Sequence, residues 1–243
     1  MVKPRRVHYV AISLLIATVA LAGFWRSYFA PLLAGTLRTD MLLHLHAAVF
    51  VGWLGLLMAQ AVLASRGHLD LHRRLGRLGI GWGVLLIVVG LWTTGVRVAL
   101  QARQVSIDAA AAFLVWPLLD MGVFALLFGT AVALRHRPPW HKRLMIAASV
   151  ALLIAPISRL VPAAAPSAGS WFMGDSAPLH AAVVGAWLAP LLVAAGHDLW
   201  RYRQVHAAYL GSIVLLVVSS FRDALTTHPA WGTLARALIA PFG

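Results

Sequence analysis

Cysteine and glutamate are both absent from the 243 residues, and charged residues of any kind are scarce. Without cysteine the chain has no disulfides, no thiolate metal site and no cysteine nucleophile. All of the seven acidic residues are aspartate. The lack of glutamate argues against the HExxH zinc motif and against carboxylate-rich di-iron sites. Charged residues make up 11% of the chain, against about 25% in soluble domains, so a soluble fold is not expected.

Apolar residues dominate the composition of the chain. They make up 61% of the chain, and the mean hydropathy is +0.83. Apolar runs of about twenty residues recur along the whole length, which is typical of transmembrane helices. The sequence therefore predicts an all-α integral membrane bundle of about seven helices in one domain, residues 1–243. The predicted spans are roughly 8–30, 40–64, 77–100, 109–134, 143–162, 177–200 and 206–225.

The basic residues predict the topology. The formal net charge is +13, and most Lys and Arg residues precede the first span or lie between spans two and three, four and five, and six and seven. By the positive-inside rule the N-terminus is inside and the C-terminus outside. A bacterial inner (plasma) membrane is the expected location, the lipid bilayer is the main partner, and nucleic acid is not expected to bind. Ala20-Leu21-Ala22 resembles a signal-peptide cleavage site, but the apolar run continues past it, so span one is expected to be retained.

A short segment occurs twice. Leu45-His46-Ala47-Ala48-Val49 matches Leu179-His180-Ala181-Ala182-Val183, and Trp53-Leu54 then matches Trp187-Leu188 at the same distance. His72 and His206 are separated by as many residues as His46 and His180. The spacing predicts one leading helix followed by three hairpin-like repeats, of which the first and third are most alike. A chance match in Ala- and Leu-rich sequence is the alternative.

Ionisable residues in membrane helices usually face the bundle interior and mark a site. The outer half is predicted to contain His46 and His180 together with Arg97, Arg159 and Arg222. Two neutral imidazoles can supply both axial ligands of haem b, and arginines can pair with its propionates. The alternative is that each histidine is an interfacial group bonded to backbone or water.

A second set of histidines is predicted at the inner face. His72, His141 and His206 each begin an outward-running helix. They are candidates for a second haem or for a zinc site with one open position, or they contact lipid phosphates. Asp120 near mid-membrane is a candidate proton relay, or a neutral acid bonded to Ser149, Ser219 or a backbone carbonyl. Gln60 is a comparable polar residue near the inner end of span two.

The leading functional hypothesis is a membrane b-type haem protein in electron transfer, linked to a quinone or to another electron carrier at the outer side. One alternative is a zinc-dependent intramembrane hydrolase that uses the inner histidines. Another is a transporter or an accessory subunit of a larger membrane complex.

Two stretches carry a resemblance. One contains His46, Gln60 and the segment 71–77 (LHRRLGR); the other contains residues 140–145 (WHKRLM), Pro156 and residues 158–160 (SRL). Together they resemble a family of bacterial multi-pass membrane proteins known as domain of unknown function 2306, over about residues 40–162. The resemblance implies that His46, His72, His141 and Arg159 are family positions, and it implies no activity. More loosely, histidines near opposite faces look like the diheme b-type cytochromes, although three inner histidines depart from their paired pattern.

Overall fold

The computed structural model describes residues 4–160 and 177–242, and all secondary structure in these two ranges is helical. The first half contains α1 (Pro4–Phe24), a π-helical turn (Trp25–Phe29), α2 (Ala30–Leu33), α3 (Met41–Arg66), α4 (Leu69–Ala102) and α5 (Ile107–Ala133). The second half contains α6 (Pro138–Ala151), α7 (Ile154–Leu160), α8 (Ala177–Tyr202), α9 (Ala207–Ser220), α10 (Asp223–Thr226), α11 (Pro229–Ile239) and a final 3₁₀ turn (Ala240–Phe242).

Local sequence signals explain where the long helices begin and end. Asp40 caps α3 by accepting a hydrogen bond from the backbone nitrogen of Leu43 at 2.9 Å, and Ser106 caps α5 in the same way. Gly67 follows α3 with φ of +84°, a left-handed conformation that glycine adopts without steric cost and that commonly ends helices. The tight turn allows α4 to start two residues later.

The chain is a multi-pass membrane protein by helix length and hydropathy. Five of the described helices are long and apolar enough to cross a bilayer, and there are six if the bent pair α6–α7 forms one span. The predicted span 143–162 corresponds to this pair, which bends by 46°; its last two residues lie outside the described ranges. The predicted span 206–225 corresponds to α9, which has only 14 residues. At 1.5 Å per residue α9 is about 21 Å long, shorter than the roughly 30 Å apolar core of a bilayer.

The predicted hairpins are present as packed helix pairs. α3 packs on α4, α5 on α6, and α8 on α9, while α1 packs on α3, α6, α7 and α8. α5 and α6 lie at the centre, and their fully buried apolar residues include Phe124 and Val150. Large apolar side chains such as Val88, Leu126 and Val214 are exposed on the outer faces of their helices. This arrangement is expected of a bundle whose solvent is lipid.

Candidate functional site

Two histidines at the turns of neighbouring hairpins have the same hydrogen-bonding arrangement. Nδ1 of His72, in the first turn of α4, lies 3.3 Å from the backbone oxygen of Gln60 on α3. Nδ1 of His141, in the first turn of α6, lies 2.8 Å from the backbone oxygen of Ala131 on α5. Each ring is thus held in place by the preceding helix of its own hairpin.

This arrangement fixes the tautomer of both rings. A carbonyl oxygen only accepts hydrogen bonds, so Nδ1 must carry the hydrogen and Nε2 of the neutral ring keeps its lone pair. Metal-binding histidines are oriented in the same way, with the second nitrogen bonded to a carbonyl or carboxylate. His72 and His141 lie within electrostatic range of each other, and neither Nε2 is hydrogen-bonded to a described residue. The pair therefore offers two nitrogen atoms as potential ligands at one end of the bundle.

Gln60 lies beside this pair and has unused hydrogen-bonding capacity. Both polar atoms of its side-chain amide are buried and have no partner in the described part of the chain. A methyl group built on Gly76, one turn along α4 from His72, would lie 3.6 Å from the amide nitrogen of Gln60. An unpaired buried amide is costly, so this position suits a bound polar group or an ordered water.

His206 has a different role from His72 and His141. Its Nδ1 accepts a hydrogen bond from the backbone nitrogen of Ala208 at 3.1 Å and thereby caps α9. The ring also packs edge-on against Trp140, with 4.9 Å between centroids. Residues 4–160 and 177–242 contain no group of three His or Asp side chains that could hold a metal ion. The geometry therefore does not favour the zinc site predicted from the three inner histidines.

His46 and His180 lie at matching positions in the half of the bundle that is predicted to be outer. Trp53, seven residues after His46, donates a hydrogen bond to Oγ of Ser149 at 3.2 Å. Trp187, seven residues after His180, donates to the backbone oxygen of Val150 at 2.7 Å. Because Ser149 and Val150 are adjacent on α6, each histidine lies about 10 Å along its own helix from a contact with the same point of α6.

The surroundings of the two outer histidines differ. His46 stacks on Phe50 with 4.3 Å between centroids, and its Nδ1 is buried without a partner among the described residues. Nε2 of His180 lies 3.5 Å from Oγ of Ser220, and its ring is 5.5 Å from that of Phe221. No hydrogen bond or ring contact in the described ranges joins His46 to His180. The two histidines occupy matching positions in their helices, but their rings are not in contact.

The three outer arginines are not equally available to a ligand. Arg97 pairs with Asp40 at 2.9 Å and donates to Thr39. Arg222 is buried in an ion pair with Asp120.

Arg159 donates to a backbone oxygen of its own helix and lies over the ring of Phe24. It is also within electrostatic range of His46, as is Arg97. Arg159 is therefore the predicted propionate-binding arginine that has no carboxylate partner among the described residues.

Asp120 binds neither of the serines that the sequence suggested. It accepts a hydrogen bond from Nη1 of Arg222, which also donates to the backbone oxygen of Trp116 at 2.8 Å. The guanidinium lies over the Trp116 ring, 4.6 Å from its centroid. Asp120 is thus one half of a buried ion pair that joins α5 to the segment after α9.

A second buried ion pair was not anticipated from the sequence. Arg143 on α6 donates through Nε and Nη2 to both carboxylate oxygens of Asp198 on α8, at 2.6 and 2.9 Å. Beside it, His8 and His197 stack with 3.7 Å between ring centroids. In the sequence, Arg143 is one of the basic residues between spans four and five that predict the topology. The available signal was Asp198 itself, because an acid within an apolar helix normally has a partner inside the bundle.

Comparisons with known proteins add no family. The chain matches no family model, no curated protein and no solved structure. The resemblance described above therefore stays a prediction.

Proposed function

We propose that this chain is a b-type haem protein that transfers electrons in a bacterial plasma membrane. The observation that carries the proposal is the matched pair His72 and His141. Both rings have Nδ1 against a backbone carbonyl, lie within electrostatic range of each other and keep Nε2 available. Two neutral imidazoles are the donor set of a six-coordinate haem b.

The residues around this pair fit the group. His72 and His141 would hold the iron, and the unpaired amide of Gln60 would bond a polar group of the haem. Arg74 and Arg77, both exposed and within two turns of His72, would pair with propionates at the membrane surface. Bound there, the haem iron would accept and release single electrons.

The outer half offers a second position. His46 and His180 would be its ligands, with Arg97, Arg159 and Arg222 as the predicted propionate partners, and an outer quinol or electron carrier as its reductant. The matching placement of the two histidines in their helices supports this position. The contact between His180 and Ser220 and the ion pairs of Arg97 and Arg222 argue that it is the weaker of the two.

The proposal includes the topology predicted from the basic residues. The N-terminus and the α3–α4 and α5–α6 turns would face the cytoplasm, and the C-terminus would face outside. Crossing seven times requires that α6–α7 form one bent span and that α9, with the turn after it, complete the last crossing where the bilayer is locally thin.

A visible absorption spectrum tests the proposal. The full chain is produced in cells supplied with haem, purified, and measured before and after dithionite. The expected result is a sharp α-band of b-type haem in the reduced sample. His72→Ala and His141→Ala should each lower the haem content, whereas His136→Ala, an exposed histidine in the α5–α6 turn, should not. A featureless wild-type spectrum would rule out the haem function, and unchanged spectra in both alanine variants would rule out the inner ligands.

A further inference from the structure

The segment after α9 brings a charged residue into the bundle. The hydroxyls of Ser219 and Ser220 donate to the backbone oxygens of Leu216 and Val217, three residues earlier. Such bonds compete with the backbone pattern of a helix, and α9 ends at Ser220. The chain then turns, and Arg222 extends inward with a side chain that is 0% exposed.

The guanidinium of Arg222 is only partly used. Its Nη1 makes both of its hydrogen bonds, to Asp120 and to the Trp116 carbonyl, whereas Nε and Nη2 are buried without a partner in the described residues. In Arg143, which is also buried, Nε and Nη2 both donate to the carboxylate of Asp198. The Nε–Nη2 edge of Arg222 therefore has no partner among the described residues. In arginine–carboxylate pairs this edge donates two parallel hydrogen bonds to oxygen atoms. Buried donors in this state favour a bound acceptor.

The charge around Arg222 decides which kind of acceptor fits. Asp120 already compensates the guanidinium, and Asp223, beside the Trp116 indole, adds a further acidic group within electrostatic range of Arg222. An added carboxylate or phosphate would leave an uncompensated negative charge in an apolar bundle, which is costly. A neutral carbonyl oxygen satisfies the free N–H groups without that cost.

The same segment connects this position to the lipid. Phe221 is 64% exposed, and its ring lies 5.5 Å from that of His180. Because Nε and Nη2 of Arg222 are buried, a ligand reaches them only after a side chain moves. Phe221 is next to Arg222 in the chain and mostly exposed, so it loses little packing when it moves.

From these observations we infer that Arg222 and Phe221 form a binding site for the head group of a lipid-soluble quinone. Nε and Nη2 of Arg222 donate to one carbonyl oxygen of the quinone, and Phe221 packs on the ring. The inference deepens the proposed function, on which its role in electron transfer rests, by placing the outer electron carrier at the junction of α9 and α10. It replaces the predicted propionate role of Arg222.

The first test measures quinone binding to the full chain in nanodiscs. Decylubiquinone is the probe, and quenching of tryptophan fluorescence gives Kd. Arg222→Lys keeps a positive charge for Asp120 but removes the planar pair of donors, and Kd should rise about tenfold or more. Arg143→Lys removes the same donor pair from the other buried ion pair, and Kd should stay within about twofold of wild type. Equal affinity in wild type and Arg222→Lys would overturn the site.

The charge argument is tested in the same assay. Benzoate, an aromatic oxyanion, should not displace decylubiquinone from the wild-type chain, because the site has no uncompensated positive charge. Displacement by benzoate at concentrations comparable to decylubiquinone would show anion binding and overturn the quinone assignment.

A test without any substitution covers the case in which Arg222→Lys does not fold. A photoreactive azido-quinone is crosslinked to the wild-type chain, and the labelled peptides are mapped by mass spectrometry. The label is expected on the segment from Ser219 to Asp223 or on Trp116, and labelling confined to other helices would overturn the site. Haem content is measured on the same samples. Quinone binding that depends on Arg222 in a haem-free protein contradicts only the proposed function, and haem without such binding contradicts only this site.

Discussion

Trp53 and Trp187 donate hydrogen bonds to adjacent residues of α6, one to the side chain of Ser149 and the other to the backbone of Val150. Both indoles are almost fully buried. They occupy equivalent positions in the repeated segments of α3 and α8, so both repeated segments are hydrogen-bonded to the same point of α6.

The equivalence of the two tryptophans leads to a first prediction. Trp53→Phe and Trp187→Phe each keep an aromatic ring and lose one buried hydrogen bond, so each should lower the free energy of unfolding by about 1 kcal/mol from the hydrogen bond alone. The measurement is unfolding by SDS titration followed by circular dichroism. Trp200→Phe, at a 75% exposed position, is the control and should change little. A loss confined to one of the two buried positions would contradict the structural equivalence.

The sequence predicted the helical bundle and the hairpins because these depend on apolar runs. It did not predict the two buried ion pairs. Asp120 and Arg222 are far apart in the chain, as are Arg143 and Asp198, and each pair forms only when non-consecutive helices pack together. Spacing along one helix holds no information about which charge on another helix lies opposite.

The functional assignments show the same limit. The predicted inner set contained His72, His141 and His206 as equals, since each begins an outward-running helix. In the structure one contact distinguishes His206 from the other two. His206 accepts a hydrogen bond from the backbone of its own helix, whereas the rings of His72 and His141 bond a backbone carbonyl of the preceding helix. A helix-capping role depends on backbone geometry at one turn, and histidine spacing alone does not reveal it.

Two glycines of α4 provide a prediction about helix packing. A methyl group on Gly83 would overlap the ring of Phe128 on α5, whereas one on Gly81 has nothing within 4 Å. Gly83→Ala should therefore destabilise the bundle by about 1–3 kcal/mol. Gly81→Ala should be neutral or stabilising by up to about 1 kcal/mol, because alanine favours the helix. Thermal unfolding of both variants in the same detergent checks the difference, and similar melting temperatures would argue against close packing of α4 on α5.

The ion pair of Arg143 and Asp198 should contribute strongly to stability. Asp198→Ala leaves a guanidinium that is almost fully buried without its counter-ion, and we expect a loss of about 3–5 kcal/mol. The exposed pair of Arg236 and Asp108 is the matched control, and Asp108→Ala should cost less than about 1 kcal/mol. The double variant Arg143→Met/Asp198→Leu should recover much of the loss. A double variant no more stable than Asp198→Ala, measured by SDS titration, would contradict the argument.

The absence of cysteine allows the topology to be tested without removing any native thiol. Gln104→Cys lies in the exposed turn between α4 and α5, and His68→Cys lies in the exposed turn between α3 and α4. In the proposed orientation a membrane-impermeant maleimide should label position 104 from outside intact spheroplasts and position 68 only after permeabilisation. The reverse pattern would place the N-terminus outside and invert the assignment of inner and outer sites.

The number of haems is predicted by comparing the two histidine pairs. If both positions of the proposed function are used, His46→Ala should remove about half of the haem per protein, because the inner ligands His72 and His141 remain. His44→Ala is the control. It is two residues from His46, its Nδ1 bonds the hydroxyl of Tyr28 at 2.9 Å, and it should leave the haem content unchanged.

The ratio of haem to protein, measured by pyridine haemochrome and amino-acid analysis, separates the cases. A wild-type ratio near two that falls to one in His46→Ala indicates an inner and an outer haem. A wild-type ratio near one that is unaffected by His46→Ala but abolished by His141→Ala indicates the inner haem alone. In that second case the contact of His180 with Ser220 is its native state, and the outer half of the bundle contains no iron ligand. Loss of all haem in His46→Ala with full retention in His141→Ala would contradict the inner site, because it would mean that the anchored rings of His72 and His141 hold no iron.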